Sequence, residues 1–255
     1  MSNDPKNFVA SDNYLSDRII LVTGATRGIG KAVAMECARL GATVLLIAKD
    51  LKRLEQVYDE ILELDTRQPA ILNIDLEAAN ADDYKTIASS IETEYGRLDG
   101  LVHNAGRVGS LTPLPNIDLD TWSKLTTLHL HAPFLLSRAC LPLLYKSKDP
   151  SIVFTIDEMT KAYWGAYGVT KFGQLGLLHI MADELESDPQ IRVNGINPGK
   201  VATHLRAHNY PGINPDEFPP PESVVPAFVY FLGEASKGIT NQVIRLAQSD
   251  SSQTA

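Results

Sequence analysis

The chain has 255 residues, of which 44% are hydrophobic and 21% charged, and its formal net charge is -8. This composition predicts a globular protein with a large core, and the length allows one or two domains. A generally acidic surface repels phosphate backbones, so we expect no nucleic acid partner. No apolar run approaches membrane-spanning length, and the polar N-terminus lacks a signal-peptide core, so we expect no membrane association. Cys37 and Cys140 form no disulfide framework, which suits a reducing compartment, and we expect a cytoplasmic protein.

Short apolar runs alternate along the chain with longer segments of helical period. Several runs are near-continuous aliphatic stretches, which is typical of strands buried on both faces of a parallel sheet. The predicted strands are 18–23, 43–48, 70–74, 100–103, 151–156, 191–196 and 242–247. The first predicted helix has an apolar stripe of Ile29, Val33 and Cys37 and ends at Gly41. The other predicted helices are 51–64, 82–95, 121–137, 167–186 and 223–232. This alternation predicts an α/β fold with a single Rossmann-type, doubly wound, mostly seven-stranded parallel sheet and helices on both faces.

No linker or repeat interrupts this pattern, so we predict one Rossmann-type domain over residues 18–248. Residues 1–17 form a polar N-terminal extension, and residues 249–255 form a small, polar, flexible tail. The segment 204–221 is irregular and holds five prolines. Long loops in compact domains are often lids, so this segment is either a substrate cover or a surface excursion without function.

A glycine-rich loop follows the first predicted strand and opens the first predicted helix. Ligands of open parallel sheets bind beyond the carboxyl ends of the strands, where this loop lies. Its glycines allow a tight turn and a close approach of the backbone to a ligand, and the helix N-terminus offers N–H groups and a positive dipole end to a pyrophosphate. The loop therefore predicts a dinucleotide site. Its residues are Thr23, Gly24, Ala25, Thr26, Arg27, Gly28, Ile29 and Gly30.

Further motifs resemble those of the short-chain dehydrogenase/reductase family. The loop spacing is Gly-x-x-x-Gly-x-Gly, and it is followed in the family's order by Asn-Ala-Gly at 104–106, Tyr-x-x-x-Lys at 167–171 and Pro-Gly at 198–199. Asp75 matches the family's adenine-contacting Asp, and the runs 18–24, 98–106 and 164–167 are similar to a bacterial YciK-like branch. The resemblance implies a nicotinamide cofactor that contacts Gly24, Thr26, Arg27, Gly28, Ile29, Gly30, Lys49, Asp75, Leu76, Asn104, Ala105, Gly106, Tyr167, Lys171, Pro198, Gly199 and Thr203.

The end of the second strand selects between NAD(H) and NADP(H). An acid there would bond the ribose 2′-hydroxyl, whereas a cation would accept the 2′-phosphate. In alignment with the family, the acidic position falls on Ala48 and the basic one on Lys49, and Arg27 is a second cation in the loop. Asp50 lies about 20 residues past the loop, which keeps NAD(H) as the alternative. Two cations and no acid at the key position favour NADP(H).

Tyr167 and Lys171 are the candidate catalytic pair. Four residues apart, they share one face of a predicted helix. A phenol is a poor acid at neutral pH, and a nearby ammonium stabilises its phenolate. The resemblance implies that Tyr167 exchanges a proton with the substrate oxygen while hydride moves to or from the nicotinamide. It also implies that Lys171 binds the nicotinamide ribose.

Two other positions of the family's catalytic set are altered. The family usually places a Ser just after the fifth strand, but the segment 154–167 contains none. Thr155 could supply an equivalent hydroxyl, whereas an ionised Asp157 could not, because it only accepts hydrogen bonds. His129 stands where the family usually has Asn, and it either replaces that residue in part or is a structural histidine. His129 and His131 diverge on a helix, so we predict no metal site.

Two functions remain open from the sequence. The first is an NADP(H)-dependent reductase or dehydrogenase that acts on a small carbonyl or alcohol substrate. The second is an NADP(H)-binding protein of the same fold with weak or no turnover, which the altered positions favour. The family resemblance also implies a homodimer or homotetramer.

Overall fold

The computed structural model describes residues 4–187, 190–205, 212, 214 and 217–246. Its sheet has seven parallel strands in the order β3-β2-β1-β4-β5-β6-β7. The strand order reverses between β1 and β4, which is the topological switch point of a doubly wound fold. The strands are β1 Ile19–Thr23, β2 Thr43–Ala48, β3 Ala70–Asn73, β4 Gly100–His103, β5 Ser151–Thr155, β6 Arg192–Asn197 and β7 Val243–Arg245. The predicted fold class is confirmed.

Helices cover both faces of the sheet. They are α1 Gly28–Arg39, α2 Leu51–Leu62, α3 Ala81–Tyr95, α4 Leu119–Thr126, α5 Ala132–Leu144, α6 Gly165–Glu184 and α7 Val225–Leu232. One buried cluster joins the sheet to α1, α2 and α7, and a second joins it to α3, α5 and α6. Strand β1 contributes to both, with Ile20 and Val22 in the first cluster and Ile19 and Leu21 in the second. Successive side chains of a strand point to opposite faces, so an unbroken apolar run is what a doubly covered strand requires.

The predicted helix 121–137 is part of a longer helical segment. Helices α4 and α5 are joined by the π-helical turn Thr127–His131, in which the N–H of Ala132 donates to the carbonyl of Thr127. Pro133 follows directly; it has no N–H for the carbonyl four residues earlier, and its ring crowds that carbonyl. The helix widens in the turn before it. The segment therefore continues across the proline and ends at Leu144.

Residues before the predicted domain boundary also contact the core. Phe8 and Leu15 are buried in the cluster that contains α7, and the ring of Phe8 packs edge-on against Tyr230. Within the described ranges, no helix combines the length and the apolar character needed to span a membrane.

Candidate active site

A cavity of about 320 Å³ lies at the carboxyl edge of the sheet, beside the switch point between β1 and β4. The loops that follow β1, β2, β3, β4, β5 and β6 all contribute to it, because the carboxyl ends of parallel strands meet at one edge. Of the residues predicted to contact a cofactor, Gly30 alone does not line the cavity. Those that do are Gly24, Thr26, Arg27, Gly28, Ile29, Lys49, Asp75, Leu76, Asn104, Ala105, Gly106, Tyr167, Lys171, Pro198, Gly199 and Thr203.

The glycine loop has the backbone geometry that its sequence requires. Gly24 and Gly28 have φ angles of +68° and +55°, in the left-handed region that favours glycine. Gly30 is needed for packing, because a Cβ there would overlap the carbonyl oxygen of Gly24 and the side-chain amide of Asn104. That amide donates to the carbonyl of Thr23 across 3.2 Å. The glycine loop is thus hydrogen-bonded to the Asn-Ala-Gly motif. The first turn of α1 faces the cavity, where its N–H groups could donate hydrogen bonds to a pyrophosphate.

The cations at the end of β2 and in the glycine loop already have partners. Lys49 Nζ lies 3.7 Å from a carboxylate oxygen of Asp75 and 3.8 Å from one of Glu77. Arg107 Nε donates to the other Glu77 oxygen across 2.5 Å. Glu77 is therefore shared by two cations of the cavity wall. These partners are displaceable by a phosphate, because Lys49 is 60% exposed and both of its pairs are long.

Arg27 reaches the cavity from the glycine loop. Its guanidinium lies 3.1 Å from His204 Nδ1, on the chain that follows β6. Arg27, Lys49 and Arg107 line the cavity together with the glycine loop. This set of donors fits a 2′-phosphorylated cofactor. Neither Glu77 nor Arg107 was among the predicted site residues, although Arg107 directly follows the Asn-Ala-Gly motif.

Lys171 is held in a fixed position in the wall of the cavity. It is only 4% exposed, and its ammonium donates to the carbonyl of Thr155 and to Oε1 of Gln174, each across 2.9 Å. Burial lowers the pKa of Lys171 to about 8, and the negative charge of Asp157 partly opposes that effect. The side-chain nitrogen of Gln174 is buried, with no hydrogen-bond partner in the part of the chain that the structure describes.

The hydroxyl of Tyr167 donates to Oδ2 of Asp157 across 2.8 Å. Asp157 follows β5 by two residues, in the segment where the family usually has its Ser. The hydroxyl of Thr155, the other residue considered for that role, donates instead to Oδ1 of Asn104 across 3.2 Å. Of the two residues, Asp157 is thus the one bonded to the tyrosine hydroxyl. The indole of Trp164 packs beside the phenol, with ring centroids 5.4 Å apart, and also lines the cavity.

His129 lies behind the tyrosine, in the π-helical turn. Its Nε2 accepts the backbone N–H of Arg107 at 3.4 Å, which leaves the hydrogen on Nδ1, 2.8 Å from the hydroxyl of Thr170. Burial lowers the pKa of His129 well below its usual range, so the ring is neutral. His129 therefore ties the Asn-Ala-Gly loop to α6. His131 is exposed, as the divergence of these two positions on a helix predicts.

Part of the predicted substrate cover lies outside the described residues. In the segment 204–221, the structure gives no description of 206–211, 213 and 215–216. His204 and Leu205, at its beginning, line the cavity, and Val108 lines it from the loop after β4. The predicted flexible tail 249–255 also lies outside the described part of the chain.

Comparison with known proteins gives concordant matches over most of the chain. The family described as short chain dehydrogenase matches residues 18–213. The uncharacterized oxidoreductase YciK of Escherichia coli K12 is 37% identical over 234 residues, which cover 91% of this chain and 92% of that protein. A short chain dehydrogenase structure from Pseudomonas syringae is 42% identical, with a TM-score of 0.92 and coverage of 94% and 99% of the two chains. Another, from Shigella flexneri in complex with NADP, is 37% identical, with a TM-score of 0.89 and coverage of 92% and 99%.

Proposed function

Because the chain belongs to the short-chain dehydrogenase family of oxidoreductases, we propose that it is an NADP(H)-dependent enzyme that transfers hydride between the nicotinamide and a carbonyl or alcohol substrate. The observation that carries this proposal is the placement of Tyr167 and Lys171 in one cavity with the glycine loop. The bound cofactor would supply or accept the hydride. The protein would bind and orient both reactants and manage the proton.

We assign the proton transfer to Tyr167, assisted by Lys171. The phenol exchanges a proton with the substrate oxygen, and the buried ammonium favours the phenolate that remains after donation. Thr155 and Gln174 fix two of the three N–H directions of Lys171, and the third is available to a ribose hydroxyl. This arrangement fixes the ammonium in the wall of the cavity that the phenol also lines.

The preference for NADP(H) over NAD(H) is supported by charge. Lys49 and Arg27 line the cavity, and Ala48 stands where an acid would bond a ribose 2′-hydroxyl. The related Shigella flexneri structure contains NADP. A binding titration with NADPH and NADH tests the preference, with Lys49→Ala as the variant and the exposed Lys52→Ala, outside the cavity, as its control. We expect Lys49→Ala to weaken NADPH binding roughly tenfold and NADH binding little. Tighter binding of NADH, unaffected by Lys49→Ala, would contradict the assignment.

The second candidate is a cofactor-binding protein with weak or no turnover. The bond between Tyr167 and Asp157 favours it, because the phenol proton points to a carboxylate rather than to a substrate. Loss of NADPH absorbance with a panel of aldehydes, ketones and quinones separates the two candidates. Turnover that falls by about 10² or more in Tyr167→Phe supports the enzyme. Cofactor binding with no turnover in the wild type supports the second candidate.

We also propose a cytoplasmic homodimer or homotetramer. Apolar side chains on α5 and α6 are exposed in the single chain, among them Phe134, Val169, Phe172 and Ile180. Sedimentation equilibrium of the purified protein gives the oligomeric state directly.

A further inference from the structure

Asp157 places a carboxylate beside the proposed acid. It lines the same cavity as Tyr167 and accepts that residue's hydroxyl proton at 2.8 Å. Among the residues that the structure describes, this is the one hydrogen bond of Asp157; its charge also acts on the ammonium of Lys171, with which it forms no ion pair. The carboxylate is half-buried and adds a negative charge to the place where a substrate must react.

The neighbouring polar groups are engaged elsewhere. Glu158 forms a two-pronged pair with Arg245, with both distances 2.6 Å, and does not line the cavity. The hydroxyl of Thr155 is bonded to Asn104. Asp157 is therefore the side chain of the β5–α6 connection that sets the charge next to the tyrosine.

This charge disfavours a neutral carbonyl substrate relative to a cationic one. A carbonyl has no hydrogen to give to a carboxylate, and its oxygen becomes negative as hydride reaches the carbon. Two like charges at contact distance repel, most strongly where water is excluded. The phenol proton that should compensate this charge is held by the same carboxylate.

A carbon–nitrogen double bond reverses each of these effects. An iminium ion is positively charged along the bond that accepts hydride, so the carboxylate attracts it. If the nitrogen is protonated, its N–H donates to the carboxylate in a charge-assisted hydrogen bond. Building on the proposed function, we propose that Asp157 extends the substrate range of this site to cationic C=N compounds, which the protein reduces to amines.

The reaction balances with the cofactor already proposed. A C–H bond forms at the imine carbon with the hydride of a reduced nicotinamide, and the π electron pair of the C=N bond moves to nitrogen. An iminium ion thus gives a neutral amine and an oxidised nicotinamide, with no proton consumed. A neutral imine consumes one proton, which the Tyr167–Asp157 pair is placed to hand to the nitrogen.

The test compares two bicyclic probes of similar size, the 2-methyl-3,4-dihydroisoquinolinium ion and the ketone 1-tetralone. NADPH oxidation gives kcat/KM for the wild type, Asp157→Asn and the matched control Glu158→Gln. We expect the wild type to prefer the iminium. Asp157→Asn, which removes the charge and keeps the shape, should lower kcat/KM for the iminium roughly tenfold and not lower it for the ketone, because this N-methyl iminium is attracted by the charge alone. Glu158→Gln should leave the ratio of the two values unchanged.

A binding measurement gives a readout that does not depend on turnover. Trp164 packs on Tyr167 and reports on the cavity, and Trp122→Phe leaves it as the one tryptophan of the chain. In the presence of NADP⁺, no hydride is available, so quenching of Trp164 measures the Kd of each probe. We expect Asp157→Asn, and equally Asp157→Ser, to raise the Kd of the iminium about tenfold through the lost charge attraction and to leave that of the neutral ketone unchanged.

The outcomes separate this inference from the proposed function. If neither Asp157 variant changes the iminium-to-ketone ratio or the Kd of the iminium, the inference is wrong. Ketone reduction that still requires Tyr167 would then leave the proposed function standing. If the charge-dependent Kd is found but neither probe is turned over, the assignment of Asp157 to a cationic ligand is supported, and the proposed catalysis is what fails.

Discussion

Gln174 lies one turn after Lys171 on α6, and its Oε1 accepts the lysine ammonium at 2.9 Å. The glutamine is 1% exposed, and its side-chain nitrogen has no partner among the described residues. Burial of an amide nitrogen without a hydrogen-bond partner costs stability. The oxygen of the same amide makes a contact that an apolar residue could not make. This contact fixes an ammonium that burial would otherwise tend to neutralise. Gln174 is thus a positioning residue for Lys171.

The charge of Lys171 should set the alkaline limit of the reduction. With a pKa of about 8, the side chain is charged below that pH and loses its proton above it, so kcat/KM should fall as pH rises through about 8. Gln174→Glu puts a negative charge at bonding distance and favours the ammonium, which should move this limb to higher pH. Gln174→Met removes the acceptor and should move it lower. A pH profile that is the same in all three proteins would contradict the assignment.

Neutralising Glu77 should strengthen NADPH binding. Its carboxylate is paired with Arg107 and lies 3.8 Å from Lys49, so it competes with a phosphate for both cations and repels it. We expect Glu77→Gln to lower the Kd of NADPH roughly severalfold, with NADH little changed. Fluorescence titration measures both constants. Glu60→Gln, which removes a surface partner of Lys31 outside the cavity, is the control and should have no effect.

Gly30→Ala should damage the cofactor site although Gly30 does not line it. The added Cβ overlaps the carbonyl of Gly24 and the side chain of Asn104, so the loop must shift. We expect a lower Tm and weakened binding of both NADPH and NADH. Gly176→Ala is the matched change: nothing lies within 4 Å of its Cβ in α6, so helix propensity should leave stability unchanged or raise it by up to about 1 kcal/mol. Thermal unfolding with and without NADPH measures both effects.

His103 should contribute to acid destabilisation. Burial lowers its pKa to about 3 from 6.5, so between these values the unfolded chain binds a proton that the folded chain does not. Its contribution is full above pH 6.5 and is lost as pH falls toward 3. The fall in Tm between about pH 7 and pH 5 should therefore be smaller in His103→Asn than in the wild type. The exposed His131→Asn should behave like the wild type; equal pH dependence in all three proteins would count against the role of His103.

The sequence predicts the sheet closely because each strand is covered on both faces. A doubly covered strand must be apolar throughout, as the 18–23 run is, and the observed β1 begins one residue later. The glycine loop and the Asn-Ala-Gly motif are likewise short sequence patterns, and each predicts one local backbone structure. Their predicted residues line one cavity, apart from Gly30, whose effect comes from packing.

The contacts that tune the site could not be predicted in this way. Glu77 follows β3 and Arg107 follows β4, and β2 and β1 lie between these strands, so only the paths of the loops at the carboxyl edge bring the two charges together. The segment after β5 contains no Ser, and only the path of the backbone shows which of Thr155 and Asp157 reaches Tyr167. Helical spacing predicts that Gln174 lies beside Lys171 on α6, but it does not predict that Gln174 is buried.

The π-helical turn Thr127–His131 amounts to one residue added to a continuous helix. Each residue of a helix rotates the chain by about 100°, so this single addition sets the facing of everything in α5 relative to α4. His129 is turned inward to Thr170 while α5 keeps its apolar side, including Leu136 and Cys140, on the sheet. Deleting one codon in this turn would leave a helix of ordinary pitch and rotate one half of it away from its partners. A substitution thus changes one side chain of the pocket. The insertion or deletion of one residue in this turn would instead reorient all the side chains of one helical half at once.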